Sequence, residues 1–301
     1  YFDSAPSFAK ASDGKQDDSG SIYPNATTFM IDSHCHLVDR KFSSDLPEVL
    51  LRAEENGIEA IVTIADSLEE SKACIELSEK YQQIFCSVGV HPHGSSQWSE
   101  DSDKQMRHLI QSSPKVKAVG EIGLDYHYDN SPRDVQRYVF RTQLALAKEL
   151  DIPAVIHCRN AIGDLKKIIN EVGHSPYVIH CCTEQWGNVE SLVKAGALLG
   201  FTGIATYPSY SFRTSPKSED IRETIKQCPL SQMMVETDAP YLAPDFYRGK
   251  RNEPAFVVEV AKVIAEIKGV PLEEVDAQIT KNTVEFYRIA PASLRKASVG
   301  E

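Results

Sequence analysis

Two histidines follow a short apolar run near the start of the chain, at a spacing suited to joint metal binding. His34 and His36 lie near the end of the segment of residues 29–37. In an extended strand alternate residues point the same way, so the two imidazoles would project in parallel. Such a pair is a natural set of ligands for a metal ion. Taken alone, the same pattern is also compatible with two buried core histidines.

Four later apolar runs also end in ligand-type side chains. Glu121, His157 and His180 each end one run, and the run 233–236 leads directly to Asp238. The carboxyl ends of strands in a parallel barrel are where an active site assembles. Each residue alone has a simpler explanation, such as a helix cap for Asp238. Five such ends in one chain favour a shared site.

The candidate ligands exceed what one ion needs. They are four imidazoles and two carboxylates: His34, His36, His157, His180, Glu121 and Asp238. Two divalent ions about 3.5–4 Å apart could share them, with Glu121 as the bridge. Such ions lower the pKa of a water, and Asp238 would accept its proton, so both carboxylates are candidate catalytic residues. Imidazoles favour Zn or Mn, whereas carboxylate and phosphate oxygens tolerate Mg, which leaves the metal open.

Five further residues are candidates for substrate contacts: His91, His93, Tyr126, Arg159 and Arg251. The two histidines follow the third apolar run, and Tyr126 lies on a loop where it would either stack on a base or pack. Arg159 would either clamp a phosphate or pair with a nearby carboxylate. Arg251 belongs to a basic cluster, residues 248–251, for which a solvated loop is the alternative.

The order of elements predicts the fold. Apolar strand segments alternate with helical segments over most of the 301 residues, which is typical of a parallel sheet built from βα units. The predicted strands are residues 29–32, 60–64, 84–88, 116–121, 154–157, 177–180, 197–201 and 233–236. Eight strands close a barrel, so we expect a single (β/α)8 TIM barrel with its site at the carboxyl-terminal mouth. The expected limits are a flexible arm 1–28, the barrel 29–290 and a tail 291–301.

Local signals mark two of the helices. Ser131, followed by Pro132 and Asp134, predicts a capped helix start. Apolar residues recur at helical spacing over 255–268 and stop at Gly269, which predicts a helix that ends in a left-handed glycine. Both apolar stripes are expected to pack against the barrel.

Composition excludes several classes of protein. A formal net charge of −11 argues against a broad basic surface for nucleic acid, but not against phosphate chemistry at bound cations. No run approaches the ~20 apolar residues of a membrane span. Seven cysteines, an odd and scattered set, do not suggest a disulfide framework. We therefore expect an intracellular protein, cytoplasmic or nuclear, although a removed secretion signal would leave no trace. The sequence is compatible with a monomer.

The motifs together resemble one family, the TatD nucleases, in order and spacing over about residues 30–290. They are residues 32–37 (DSHCHL), 120–126 (GEIGLDY), 157–159 (HCR), 180–181 (HC), 236–242 (ETDAPYL) and 251–254 (RNEP). The resemblance implies a TIM-barrel metallohydrolase of the amidohydrolase superfamily that acts as a divalent-metal-dependent deoxyribonuclease. It implies degradation of DNA from the 3′ end, and the same six metal ligands, with magnesium as the usual ion.

One loop departs from the family pattern. After His180 and Cys181 the family usually has an aromatic residue and a Thr-Gly pair, whereas this chain has Cys182, Thr183 and Glu184. The departure leaves the ligands intact and puts substrate preference in question.

Two other functions compete with a nuclease. A barrel of this class could hydrolyse an ester or amide, such as a lactone or an aminoacyl-tRNA linkage, but such relatives often bridge their metals with a modified lysine on the fourth strand. Here that strand carries Glu121. A non-catalytic scaffold is disfavoured because all six ligand positions hold competent residues.

Overall fold

Eight strands alternate with helices in the part of the chain that a computed structural model describes, residues 29–173, 176–207 and 221–289. The strands are β1 (Met30–Cys35), β2 (Ile58–Thr63), β3 (Ile84–Val88), β4 (Val116–Asp125), β5 (Ala154–Arg159), β6 (Tyr177–Ile179), β7 (Leu198–Phe201) and β8 (Met233–Val235). Each predicted strand is present. The arm 1–28 and the tail 291–301 lie outside the described residues, so these domain limits stay predictions.

The helices connect the strands on the outside. They are α1 (Leu46–Glu55), α2 (Leu68–Lys80), α3 (Ser102–Ser112), α4 (Arg133–Glu149), α5 (Ile162–Val172), α6 (Trp186–Lys194), α7 (Ile221–Gln227), α8 (Val257–Lys268) and α9 (Leu272–Tyr287). Short 3-10 helices occupy Arg40–Phe42, Pro92–Gln97, Gly203–Thr206, Leu230–Gln232, Asp245–Tyr247 and Pro254–Phe256. No helix in the described ranges is long and apolar enough to cross a membrane.

Neighbouring strands pair in parallel, in chain order from β1 to β8. This order confirms the predicted (β/α)8 barrel. Side chains join the last strand to the first: the Ser33 hydroxyl donates to the Val235 carbonyl at 2.9 Å, and the Thr237 amide donates to the buried Asp32 carboxylate at 2.9 Å. Asp32 therefore holds the segment that carries Asp238 against β1.

The inside of the barrel is packed rather than hollow. Its apolar cluster consists of Ile31, Ala60, Val62, Ile64, Phe85, Ala118, Val155, Val178, Met234, Phe286, Tyr287 and Ile289. Tyr287, at the end of α9, donates its hydroxyl to the Ser33 carbonyl at 2.9 Å. Because apolar side chains fill the interior, polar groups at the strand ends gather at the carboxyl-terminal mouth.

Irregular pairing in two strands directs the candidate ligands into that mouth. Between Val119 and Ile122, β4 contains one more residue than the facing stretch of β5. A similar shift in β1 lies between Asp32 and Cys35. Such bulges reverse the inward and outward alternation and re-aim side chains. They place Glu121, and the histidines that flank Cys35, on the inner face.

Of the two helix ends predicted from local sequence signals, one is confirmed and one is wrong. Gly269 ends α8 in the left-handed conformation, φ 67°, as predicted, although α8 itself is preceded by a 3-10 turn. The predicted cap at Ser131 is wrong, because α4 begins at Arg133 with Pro132 before it. The Ser131 hydroxyl instead donates to the His93 carbonyl at 2.9 Å and fixes the loop that carries that histidine.

Candidate metal centre

The two histidines of β1 form one side of the centre. The Nε2 atoms of His34 and His36 lie 3.3 Å apart, and both rings are buried. Cys35, between them, faces the apolar layer between the strands and the helices, as strand alternation predicts. The sequence motif therefore folds into a pair of convergent nitrogens.

Glu121 lies at the middle of the cluster, and its two oxygens face different histidines. Oε2 is 3.4 Å from Nε2 of His34 and 4.0 Å from Nε2 of His36. Oε1 is 2.8 Å from Nδ1 of His157 and 3.3 Å from Nε2 of His180. Burial raises the pKa of this carboxyl, but the surrounding histidines outweigh it and hold the pKa well below its usual value. Glu121 is thus an ionised carboxylate between two pairs of imidazoles.

Asp238 adds a second carboxylate on the side of the β1 histidines. Its Oδ1 is 3.3 Å from Nε2 of His36 and 3.6 Å from Nε2 of His34. Its backbone has a positive φ of 56°, and its amide donates to the His34 carbonyl at 2.9 Å. The described side-chain contacts of Asp238 are to these histidines, which argues against the alternative that it is a helix cap.

Further carboxylates hold the far sides of two imidazoles. Glu236 Oε1 is 3.0 Å from Nδ1 of His180, and Asp125 Oδ2 is 3.2 Å from Nε2 of His157. Such partners fix the orientation of a ligating ring and raise its basicity. Each ring is therefore held with its other nitrogen toward Glu121.

Asp66, after β2, faces the remaining side of His36. Its Oδ1 is 4.0 Å from Nδ1 of that ring, and the atom is buried without a hydrogen-bond partner in the described residues. Burial lowers the pKa of His36, but Asp66 and Asp238 outweigh this and raise it to about 10. The negative field around His36 is therefore strong.

The donor set fits divalent cations. Three overlapping triplets of side chains, centred on the six candidate ligands and His91, have ligand atoms within 4.8 Å of one another. The oxygens and nitrogens that meet here become lone-pair donors when the ligating imidazoles lose their protons, and divalent ions then replace those protons. Imidazole and carboxylate are the ligands used by zinc, manganese and related ions.

Comparison with known proteins agrees with this chemistry. The model of the family described as TatD related DNase matches residues 31–288. The chain belongs to this family. YabD of Bacillus subtilis, named an uncharacterized metal-dependent hydrolase, is 36% identical over 262 residues, 86% of this chain and 99% of that protein. The 3′-5′ ssDNA/RNA exonuclease TatD of Pantoea vagans is 32% identical over 269 residues, 87% of this chain and 100% of that one.

A solved TatD-family structure also matches the fold. The crystal structure of YJJV, a TatD homologue from Escherichia coli K12, has a TM-score of 0.81 and 29% identity, and covers 88% of this chain and 100% of its own. Membership of the TatD family makes the chain a metal-dependent hydrolase with a TIM-barrel fold.

The structure brings all six predicted ligands together. Each of the four histidines has a ring nitrogen within 4.0 Å of a carboxylate oxygen of Glu121 or Asp238. The convergence was expected from their shared place at strand ends. Their roles as metal ligands stay predictions until metal binding is measured.

The two histidines of the β3 loop lie beside the cluster. His91 Nε2 is 3.7 Å from Glu121 Oε1, and its Nδ1 accepts from the His93 amide at 3.2 Å. Burial lowers the pKa of His91 to about 3, so the ring is neutral and its proton is on Nε2. His91 thus offers a hydrogen-bond donor to the centre. His93 Nε2 is 3.0 Å from Asp125 Oδ2 and lies nearer the solvent.

Arg159 and Tyr126, two other candidates for substrate contacts, differ in how many protein groups they already contact. Arg159 is exposed and has no carboxylate partner among the residues described; its guanidinium lies 4.8 Å from the Tyr128 ring. Tyr126 donates its hydroxyl to Asp164 at 2.7 Å, with Arg133 over its ring at 4.4 Å. These contacts favour packing for Tyr126 and leave Arg159 available to a phosphate.

Arg251 is held within the rim of the barrel. Its two terminal nitrogens donate to the two oxygens of Asp45 at 2.7 and 2.6 Å, and one of them also donates to the Lys41 carbonyl. A bidentate carboxylate pair of this kind leaves few donors for a substrate. The geometry therefore favours a structural role for Arg251 over phosphate contact.

Sequence reasoning missed the supporting carboxylates Asp66, Asp125 and Glu236. Glu236 had a usable signal, since it directly follows β8, two residues after Met234 of the inner apolar cluster. The unusual loop after β6 is anchored by its neighbours: the Cys182 amide donates to the Gly200 carbonyl at 2.8 Å. Its effect on substrate preference stays a prediction.

We expect Glu236→Gln to weaken metal binding by about tenfold to a hundredfold, the usual effect of changing a partner behind a ligand. Glutamine keeps the shape but removes the charge that supports His180. Space is tight here, because a Cβ at Gly200 would lie 2.7 Å from Glu236 Cδ. Titration of metal-free protein with Mn²⁺ by calorimetry measures the effect, with Glu190→Gln on α6, whose side chain is 42% exposed, as control. Equal affinities in both variants would contradict it.

Proposed function

We propose that the chain is a divalent-metal-dependent nuclease that hydrolyses DNA phosphodiester bonds from the 3′ end, using two ions. The observation that carries the proposal is the position of Glu121, whose Oε2 faces His34 and His36 and whose Oε1 faces His157 and His180. A single carboxylate between two nitrogen pairs is the arrangement expected of a bridge between two cations. Asp238 completes the set on one side.

The name of a relative supports the substrate class. The 32% identical protein of Pantoea vagans is named a 3′-5′ ssDNA/RNA exonuclease, and both chains are covered almost in full. The net charge of −11 means that affinity for nucleic acid must come from the metal centre and a few residues at its rim. Arg159, exposed at the carboxyl-terminal end of β5, is one such residue.

Each side chain of the metal centre has its own role in the proposed hydrolysis. Bound divalent ions supply Lewis acidity, which lowers the pKa of water and neutralises phosphate oxygens. Asp238, at the edge of the cluster, accepts the proton of the attacking water in this proposal, as a general base. Glu121 keeps the two imidazole pairs at a fixed separation. His91 directs its Nε2 proton into the centre, where it donates to a phosphate oxygen.

An ester or amide hydrolase is the second candidate, and β4 counts against it. Such a site would use a modified lysine where this chain has Glu121. Lys117, the only lysine of β4, is near the strand's amino-terminal end with its Nζ 5.8 Å from the Phe85 ring. It is at the opposite end of the strand from the metal centre.

Labelled DNA distinguishes the candidates. Single- and double-stranded oligonucleotides labelled at the 3′ or 5′ end are incubated with Mg²⁺, Mn²⁺ or Zn²⁺, with a lactone and an aminoacyl-tRNA as control substrates. We expect early release of the 3′ label and a descending ladder from the 5′-labelled strand. Hydrolysis of a control substrate with intact DNA under every ion would overturn the proposal.

Arg159→Gln should raise KM for DNA by about tenfold to a hundredfold with little change in kcat, because a charge-assisted contact to phosphate is worth about 1.5–3 kcal/mol. The control is Lys281→Gln on α9, an exposed lysine outside the metal centre. KM values measured on one oligonucleotide decide the matter. Equal effects from the two substitutions would indicate binding by diffuse charge instead.

A further inference from the structure

An exposed tyrosine lies beside the metal centre and has no role in the proposed steps of hydrolysis. Tyr128, in the loop between β4 and α4, is 54% exposed. Its ring is perpendicular to that of His93, with centroids 5.5 Å apart, and the His93 ring is in turn 6.4 Å from that of His157, a predicted metal ligand. Tyr128 therefore lies at the rim, one side chain away from the cluster.

The backbone at Tyr128 is tied to the same carboxylate that holds the centre. Asp125 Oδ1 accepts from the amides of His127 and Tyr128, both at 2.9 Å. The other oxygen of Asp125 faces His157 at 3.2 Å and His93 at 3.0 Å. Because Asp125 is fully buried, the position of the tyrosine is fixed relative to the metal ligands.

A cation covers part of the ring. The Arg159 guanidinium lies 4.8 Å from the Tyr128 centroid, and His127 meets the same ring at 4.7 Å, nearly perpendicular. The arginine stacks on the aromatic face through a cation–π contact, which holds it at the rim. An aromatic surface and a cation for phosphate are thus adjacent, on a chain of net negative charge.

We propose that Tyr128 and Arg159 form a nucleotide-binding site in which the tyrosine stacks on a nucleobase and the arginine binds an adjoining phosphate. The inference rests on the proposed nuclease function and specifies how the substrate is held next to the cleaved bond. Base–aromatic stacking is tolerant of sequence, so this site gives affinity for a strand end without selecting its bases. A stacked base requires an unpaired nucleotide, which favours single-stranded or frayed ends.

Tyr138, on the helix that follows the Tyr128 loop, allows a matched comparison. Tyr128→Leu removes the aromatic ring but keeps an apolar side chain, and Tyr128→Trp restores a stacking surface. Tyr138→Leu, on α4 and 60% exposed, is the control. Each protein is assayed on a single-stranded oligonucleotide and on versions with one abasic residue on either side of the bond that is cut.

We expect Tyr128→Leu to raise KM for intact DNA by about tenfold to a hundredfold, the range of stacking on one base. KM for one of the two abasic substrates should hardly change, and Tyr128→Trp should restore the value for intact DNA. An equal loss on intact and both abasic substrates would overturn the inference while leaving the nuclease proposal intact. If the wild-type protein neither binds nor cuts DNA with any ion, the proposed function fails, and the inference fails with it.

Discussion

Glu121→Gln is expected to remove at least one bound ion and to lower DNA turnover by roughly 10³-fold or more, since an ion contributes several kcal/mol to catalysis. Glutamine has the same shape but offers one carbonyl oxygen and one amide group. Whichever way it is turned, its NH₂ group faces one of the imidazole pairs that now surround Oε1 and Oε2. That NH₂ group cannot bind a cation. It would instead donate a hydrogen bond to the imidazole nitrogens that bind the ion in the wild-type protein.

Metal content per chain, measured by elemental analysis after equilibration with Mn²⁺, is the primary readout. Glu48→Gln, an exposed residue in the first turn of α1, is the control and should keep both the metal and the rate. A circular dichroism spectrum equal to that of wild type shows that the barrel is intact. If Glu121→Gln binds as many ions as wild type, the carboxylate is not a bridge and the two-ion arrangement is wrong.

The ligands could be predicted from the sequence because their signals are local. A run of apolar residues that ends in His34, His157 or His180 identifies both a strand and its final side chain. In a parallel barrel all such ends meet at one mouth, so the topology brings them together without knowledge of any pairing. The same reasoning gave the eight strands and the helix end at Gly269.

Features that depend on register or on distant partners were beyond this reasoning. Glu121 faces inward because of the bulge between Val119 and Ile122, which strict alternation does not predict. Arg251 pairs with Asp45, about 200 positions earlier in the chain, and the local sequence does not predict such a pair. Its position in a basic cluster therefore suggested a phosphate contact that the geometry does not favour.

The loop after β4 shows the same limit at closer range. Tyr126 and Tyr128 are two residues apart, and only the first was a candidate contact for a base from the sequence, with packing as the alternative. The structure ties Tyr126 to Asp164 on α5 and leaves Tyr128 exposed. The buried carboxylate of Asp125 accepts hydrogen bonds from the amides of His127 and Tyr128 and so fixes the loop in which Tyr128 is exposed. A side chain's availability follows from such tertiary contacts rather than from its type.

Asp238→Asn is expected to lower the rate of DNA hydrolysis by about 10²- to 10⁴-fold, the usual contribution of a general base, while keeping much of the bound metal. Asparagine tolerates the left-handed backbone conformation that Asp238 adopts at φ 56°. The amide bond from this residue to the His34 carbonyl is made by the main chain and survives the change. What disappears is the basic oxygen 3.3 Å from His36.

Metal content and turnover, measured together, separate this role from that of Glu121. Asp245→Asn, exposed on the same loop, is the control and should match wild type in both. A variant that keeps its metal but loses its rate supports proton acceptance by Asp238. Loss of metal as severe as in Glu121→Gln would make Asp238 chiefly a ligand. A rate near that of wild type with full metal content would show that Asp238 has no catalytic role, because another group would then accept the proton of the attacking water.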